Sequence, residues 1–197
     1  MIVLASRSPR RRELLNQLRV SFQILDLEID ESMLADETPD ALVQRLAVLK
    51  AETGRGLLAK VGADLVLGAD TIVVLGNEVL GKPRDAAHAC ELLMALSGRC
   101  HRVLSAVALA HAHGTGVRLS ESRVCFRQLS RQECQAYAAT GEPLDKAGGY
   151  AIQGRAAAFV SDLQGSYSGV VGLPLYETAE LLTGAGVALF PPYRRLG

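Results

Sequence analysis

Apolar residues follow two rhythms along this chain. Val3, Leu4 and Ala5 form a short continuous apolar run that predicts a buried strand, and Leu14, Leu15 and Leu18 then recur at helical spacing. Ser8 followed by Pro9 supplies an N-cap and a preset first helical residue between them. Phe22 to Leu25 reads as the next strand. After an acidic stretch over 26–40, Thr38-Pro39 repeats the start signal. It opens a longer helix to about Lys60, with Leu42, Val43, Leu46, Ala47 and Leu49 on its apolar stripe and Gly54 and Gly56 as places to fray or kink.

Leu65 to Leu75 is apolar and rich in Val and Ile, broken only by Gly68-Ala69-Asp70-Thr71, and predicts a strand buried on both faces. Gly76-Asn77 turns it into a hairpin with 78–80. Residues 85–96 have helical composition and stop at Ser97-Gly98; strands at 103–110 and 117–126 follow, joined by a polar connection. Ser130 and Glu133 match a capping box for a helix ending near Gly141. A glycine-rich stretch at 146–154, a strand at 156–160, a turn-prone stretch at 165–172, a last helix from Pro174 and a surface tail after Gly186 complete the pattern. Neither a repeat nor a long linker interrupts it, which predicts a mixed α/β fold in one domain over 1–197.

Composition narrows the functions open to such a fold. With 49% hydrophobic residues in 197, the chain can bury a sizeable core. Lys plus Arg and Asp plus Glu both number 21, and aromatic content is 5%, which argues against a nucleic-acid partner, since strand binding wants a broad basic groove with stacking platforms. The N-terminus places its apolar run before its basic residues, the reverse of a secretory signal, and no stretch is apolar enough to span a membrane. A cytoplasmic protein is expected, with Cys90, Cys100, Cys125 and Cys134 all free thiols.

Several residues sit where structure alone does not want them. Arg10, Arg11 and Arg12 fill the first turn of the first helix, with Arg7 just before it, so positive charge opposes the helix dipole. Either they form a solvated basic face, or the helix start and guanidinium groups together bind phosphate. Lys50 follows Val43 by seven residues, which places it within roughly 20° of that apolar position, pointing inward. A phosphate, Glu31 or Asp70 would partner it, or its ammonium snorkels outward.

Asp70 interrupts a buried strand, and a buried carboxylate is costly unless paired, hydrogen-bonded or bound to metal. It is either a structural Asp satisfied by neighbouring groups, or a residue that holds a divalent cation or takes a proton from water, with Glu31 as a second oxygen ligand. Lys82 stands on a constrained Gly81-Lys82-Pro83 turn, which is not a P-loop. Gln153 beside Tyr150 offers both donor and acceptor, as either a base reader or an ordinary loop residue. His111 and His113 lack an evident third metal ligand, and no spacing supports a Ser-His-Asp or Cys-His arrangement.

The blocks LASRSPRRRELL, RLAVLKA, GADTIVVL, GKPRD, DKAGGYAIQG and GSYSGVVGLPL, in this order from Leu4 to about Leu182, resemble the signature blocks of the Maf nucleotide pyrophosphatases. The resemblance implies an elongated mixed α/β fold similar to the inosine triphosphate pyrophosphatases, with two lobes flanking a nucleotide cleft, commonly in a homodimer. It implies that Ser6, Arg10, Arg11, Lys50 and Lys82 line the phosphate end. Glu31 and Asp70 would form an acidic centre able to position Mg²⁺ or Mn²⁺, with Asp70 accepting a proton from the water that attacks the α-phosphorus. SPRR, ADT and YAIQG are closer to the dTTP and UTP subgroup, in which Arg10, Thr71 and Gln153 would read the substrate. The subgroup acting on 7-methyl-GTP ranks second, and a non-catalytic nucleotide-binding regulator of septum formation is the alternative of a different class. Arg7 stands where the family usually has Gly.

Overall fold

The computed structural model describes residues 1–58 and 65–190. In chain order the strands are β1 (Ile2–Ala5), β2 (Phe22–Leu25), β3 (Leu65–Leu75), β4 (Glu78–Leu80), β5 (Cys100–His111), β6 (Gly114–Phe126) and β7 (Val160–Gln164). The helices are α1 (Pro9–Gln17), α2 (Pro39–Leu58), α3 (Ala86–Leu96), α4 (Arg131–Ala138), α5 (Tyr167–Val171) and α6 (Leu175–Gly184). All strands join one mixed sheet in the order β2-β1-β3-β5-β6-β7, and β4 pairs with β3. Only the β1 pairings are parallel; the others are antiparallel. The mixed α/β class expected from the alternation of rhythms is the one observed.

Alternation along β3 divides the core. Leu67 and Ala69 pack with α1 and α6 on one face, while Ile72 and Val74 pack against Leu42, Val43, Leu46, Ala47 and Ala51 of α2 on the other. A third cluster joins Val73 and Val103 to α3, α4, Phe126 and Tyr150. Helix α2 lies very close to β3 at Gly68. A Cβ there would meet the carbonyl oxygen of Ala47, and would stand 2.5 Å from the amide nitrogen of Ala51. The approach is looser at Gly54, where a Cβ would stand 3.0 Å from a Val66 methyl, and α2 passes through Gly54 and Gly56 unbroken to Leu58.

The register of β3 has one consequence for function. On one edge, β1 pairs with it up to Ala5 opposite Gly68, and β4 resumes only at Leu80 opposite Val73. Residues 69–72 therefore have an open edge between two flanking strands, the C-terminal end of β1 and the start of the β4 pairing. Crevices beyond the carboxyl ends of parallel strands are common ligand sites in α/β sheets.

Two expectations are corrected. The apolar run at 156–160 is not a strand: Arg155–Phe159 is a 3₁₀ turn, and the strand is the more polar Val160–Gln164 on the sheet edge. Three consecutive alanines have little strand propensity, and the Arg155 amide is drawn instead to the Glu142 carboxylate at 3.1 Å. The four cysteines are not all free. Cys100 and Cys125 stand directly opposite each other on β5 and β6 and form a disulfide, a pairing that 25 residues of sequence separation conceal; Cys90 and Cys134 are free and buried. The surface position expected for the tail from 191 onward lies outside the described residues, as does the stretch between α2 and β3. Among the described residues, no helix is long and apolar enough to cross a membrane.

Candidate active site

The open edge of β3 borders a cavity of about 740 Å³. Ser6, Arg10, Arg11, Glu31, Lys50, Asp70, Thr71, Lys82 and Gln153 all line it. They arrive from six places in the chain: the β1–α1 turn with the start of α1, the acidic loop, α2, β3 itself, the turn after β4 and the loop after α4. Consecutive residues of a strand point to opposite faces, so Asp70 faces α2 and Thr71 faces α5 and α1, and one cavity reaches both because the edge between them is unpaired.

The β1–α1 turn sorts its arginines. Ser8 caps α1 by accepting from the Arg11 amide, and Pro9 takes the first helical position, as the sequence predicts. Arg11 reaches inward, its Nε donating to the Gly172 carbonyl at 2.8 Å and its terminal nitrogens lying 3.5 Å from the Ser6 and Thr71 hydroxyls. Burial pulls its pKa down from the usual arginine value, with Asp70 acting in the opposite direction and Arg10 adding to the fall. Arg10 crosses the cleft to Asp145 at 2.9 Å. Arg7 turns its guanidinium to Asp26 at 3.2 Å and Glu28 at 3.1 Å, so it is held by the acidic loop. Arg12 donates to the Arg7 carbonyl at 3.2 Å. Of the four, Arg7, Arg10 and Arg11 line the cavity and Arg12 does not.

The acidic centre is a three-residue cluster. Lys50 Nζ lies 2.7 Å from Asp70 Oδ1 and 2.6 Å from Glu31 Oε1, so the inward lysine takes both of its carboxylate candidates at once. The Lys50 and Asp70 side chains are each 10% exposed, where a lone charge would be expensive, and Glu31 is 50% exposed. Burial pushes the Glu31 carboxyl upward, but the Lys50 hydrogen bond, with Lys82 and Arg11 nearby, outweighs it and leaves the pKa below the usual 4.5. The loop bearing Glu31 is fixed by Arg45, which donates to both Glu37 carboxylate oxygens at 2.6 and 2.8 Å and to the Ser32 carbonyl at 2.9 Å.

The remaining wall is apolar with a few polar anchors. Val73, Leu80, Val103, Tyr150, Ile152 and Val171 face the cavity. The Tyr150 hydroxyl is 2.7 Å from His101 Nε2, and these rings pack edge-on with Phe126. Burial holds His101 near a pKa of about 4, so the ring is neutral at pH 7. Gly148, at φ 69°, lets the 146–154 loop press on Val73 and donate its amide to the Gly81 carbonyl beside Lys82. Exposed Gln153 sits just beyond, in a loop held by Glu142, which accepts from the Tyr137 hydroxyl at 2.8 Å and the Arg155 amide.

Sequence reasoning did not single out Asp145, His101, Ser105 or Glu142. Asp145 opens the DKAGGYAIQG block already noted, but the others carry no local signal. His111 and His113 have ring centres 5.9 Å apart at the far end of β5, and among the described residues no group of three His, Cys, Asp or Glu could hold a metal by itself.

Residues 1–185 match the family model described as Maf-like protein. The chain belongs to the Maf family. It is 53% identical over 199 residues to the dTTP/UTP pyrophosphatase of Nitrosospira multiformis, covering 96% of each chain. It is 55% identical over 184 residues to the dTTP/UTP pyrophosphatase of Alkalilimnicola ehrlichii, covering 92% of this chain and 91% of that one. Among solved structures, the Staphylococcus aureus Ham1 protein overlaps 64% of this chain and 71% of its own, at 16% identity and a TM-score of 0.46.

Proposed function

We propose that this Maf protein is a nucleoside triphosphate pyrophosphatase that converts dTTP and UTP to the monophosphate and pyrophosphate. The observation that carries the reading is the single cavity at the open edge of β3, which joins the cationic α1 tip to a buried carboxylate braced by Lys50. Relatives named for this activity, matching over nearly their whole length, support the choice of substrate.

Arg10, Arg11, Lys82 and the Ser6 hydroxyl bind the triphosphate, and fixed cations oppose the charge that develops as the phosphoanhydride bond breaks. Lys50 holds Asp70 in place. Asp70 takes a proton from water as the water oxygen bonds to the α-phosphorus, and the bond from that phosphorus to the bridging oxygen breaks, so pyrophosphate leaves with the electron pair. Thr71 and Gln153 read the base, and Arg10 is held by Asp145 on the same side.

A divalent cation suits the residues present. Each of Asp70 and Glu31 commits one oxygen to Lys50 and keeps the other. Glu31 is ionised throughout the neutral range, and Mg²⁺ or Mn²⁺ is ordinarily held by one or two carboxylates together with substrate phosphates, so a third protein ligand is not required. When bound, the ion would neutralise charge on the phosphates. The same reading takes 1–197 as one domain with two lobes about the cleft, acting as a cytoplasmic homodimer.

The test is a panel of nucleoside triphosphates incubated with Mg²⁺ and scored for product. Pyrophosphate from dTTP and UTP is expected. Orthophosphate as the primary product would place the cut at the wrong bond, and a preference for 7-methyl-GTP would move the chain to the sister subgroup.

A further inference from the structure

We propose that Ser105 is a positioning residue that fixes the direction of the Thr71 hydroxyl, so that the cleft selects a base donating a ring N–H. The inference rests on the nucleotide reading above and deepens it, by giving the physical origin of a preference for uracil and thymine over cytosine.

Each hydroxyl has one proton to place. Helix α5 ends at Val171, and the Leu173 amide, which a continuing helix would send to the Gly169 carbonyl, donates to Ser168 instead at 3.0 Å. The Gly169 carbonyl therefore needs another donor, as carbonyls at helix ends do. Ser105, 1% exposed on β5, meets it at 2.6 Å. A carbonyl only accepts, so the one Ser105 proton is committed there.

Ser105 and Thr71 are register partners on adjacent strands, with their hydroxyl oxygens 2.9 Å apart. Since Ser105 has no second proton, it accepts and Thr71 donates. The other acceptor within reach of Thr71, the Gly172 carbonyl at 3.4 Å, belongs to the same wall. That carbonyl is the more distant of the two and already accepts from Arg11 Nε at 2.8 Å, so Ser105 is what holds the Thr71 proton inside the protein. Arg11 approaches Thr71 as a donor at 3.5 Å, and what remains of the hydroxyl toward the cavity is lone-pair density.

An acceptor-only hydroxyl complements a donor. Uracil and thymine carry a proton on ring N3, whereas cytosine presents a lone pair there, so cytosine would set lone pair against lone pair. A site built to bond a substrate N–H discriminates strongly against the analogue lacking it.

The test compares kcat/KM for UTP and CTP in the full chain with Mg²⁺, for the native sequence, Ser105→Ala, Thr71→Val and the double variant. Without Ser105 the Thr71 proton loses its nearest acceptor and can turn into the cleft. The UTP-over-CTP preference should then fall by about 10-fold or more, mainly through CTP and mainly in KM. In the Thr71→Val background, Ser105→Ala should change the preference by less than about twofold, because nothing is left to orient. If Ser105→Ala does not fold, Ser105→Cys keeps the bulk while donating weakly and should lower the preference about threefold or more. An unchanged preference in the folded variant, or an equal fall in both backgrounds, overturns the inference while leaving the nucleotide reading intact. A native protein that hydrolyses no pyrimidine triphosphate overturns both.

Discussion

Replacing Lys50 by Met removes the ammonium that two carboxylates share, and the consequence can be worked from the contacts. Both oxygens lie on one nitrogen, at 2.7 and 2.6 Å, so they stand no farther apart than the sum of those contacts, about 5.3 Å. Two unit charges at about 5 Å in an effective dielectric near 20 repel by about 3 kcal/mol. Glu31 is half exposed, and screening roughly halves that figure to about 1.5 kcal/mol, or about one pH unit on whichever carboxyl protonates first. The variant also leaves Asp70 buried without its cation, a loss of about 3 to 5 kcal/mol.

The sign of the pH dependence separates this account from a simple packing defect. In the native protein the Glu31 pKa is lowered, so its contribution is present above the usual 4.5 and is lost as pH falls through the folded value. In Lys50→Met a carboxyl pKa is raised, so part of the lost stability returns as pH falls from about 6 to about 4. Urea denaturation of both proteins across pH 4 to 7 should show a gap of about 3 to 5 kcal/mol at pH 7 that narrows by about 1.5 kcal/mol at the acid end. A gap constant with pH, or one below about 1 kcal/mol at pH 7, would refute the bridging role.

Two further outcomes test the frame around the site. Gly68→Ala drives a methyl into the backbone of α2 at Ala47 and Ala51, and should cost about 1 to 3 kcal/mol in urea denaturation while displacing Lys50 and depressing turnover; a stability change under about 0.5 kcal/mol would mean that the helix does not seat there. His101 is held near a pKa of about 4 against the ordinary 6.5, so the unfolded chain binds its proton first and stability falls by about 1.4 kcal/mol per pH unit as pH drops from about 6.5 to 4. Carrying His101→Phe should flatten that slope, and a slope unaltered by the substitution would assign it to other groups.

Much of this fold was legible in local sequence. The Ser8-Pro9 cap, the β3–β4 hairpin and the Ser130–Glu133 capping box each depend on residues a few positions apart, and each is found where the pattern put it. Asp70 stood out as a polar residue in an apolar run, and Lys50 as a cation on an apolar stripe. Their contact with each other and with Glu31 depends on how tightly α2 seats at Gly68, which periodicity does not encode. The unpaired edge at 69–72 depends on strand register, as do the Cys100–Cys125 pair and the Thr71–Ser105 contact. Ser105 and His101 look ordinary in sequence because their partners, Gly169 and Tyr150, lie 64 and 49 residues away. The run at 156–160 misled for the opposite reason: apolar character without β-branching does not distinguish a strand from a helical turn.

Asp70, as the group proposed to accept the proton from water, is the residue on which turnover should depend most. Asp70→Asn keeps the side-chain shape and leaves Lys50 its contact with Glu31. With UTP and Mg²⁺, pyrophosphate release should fall by about 10² to 10⁴-fold, while calorimetric binding of the nucleotide stays within a few-fold of the native protein. A near-native rate in Asp70→Asn would contradict the assignment.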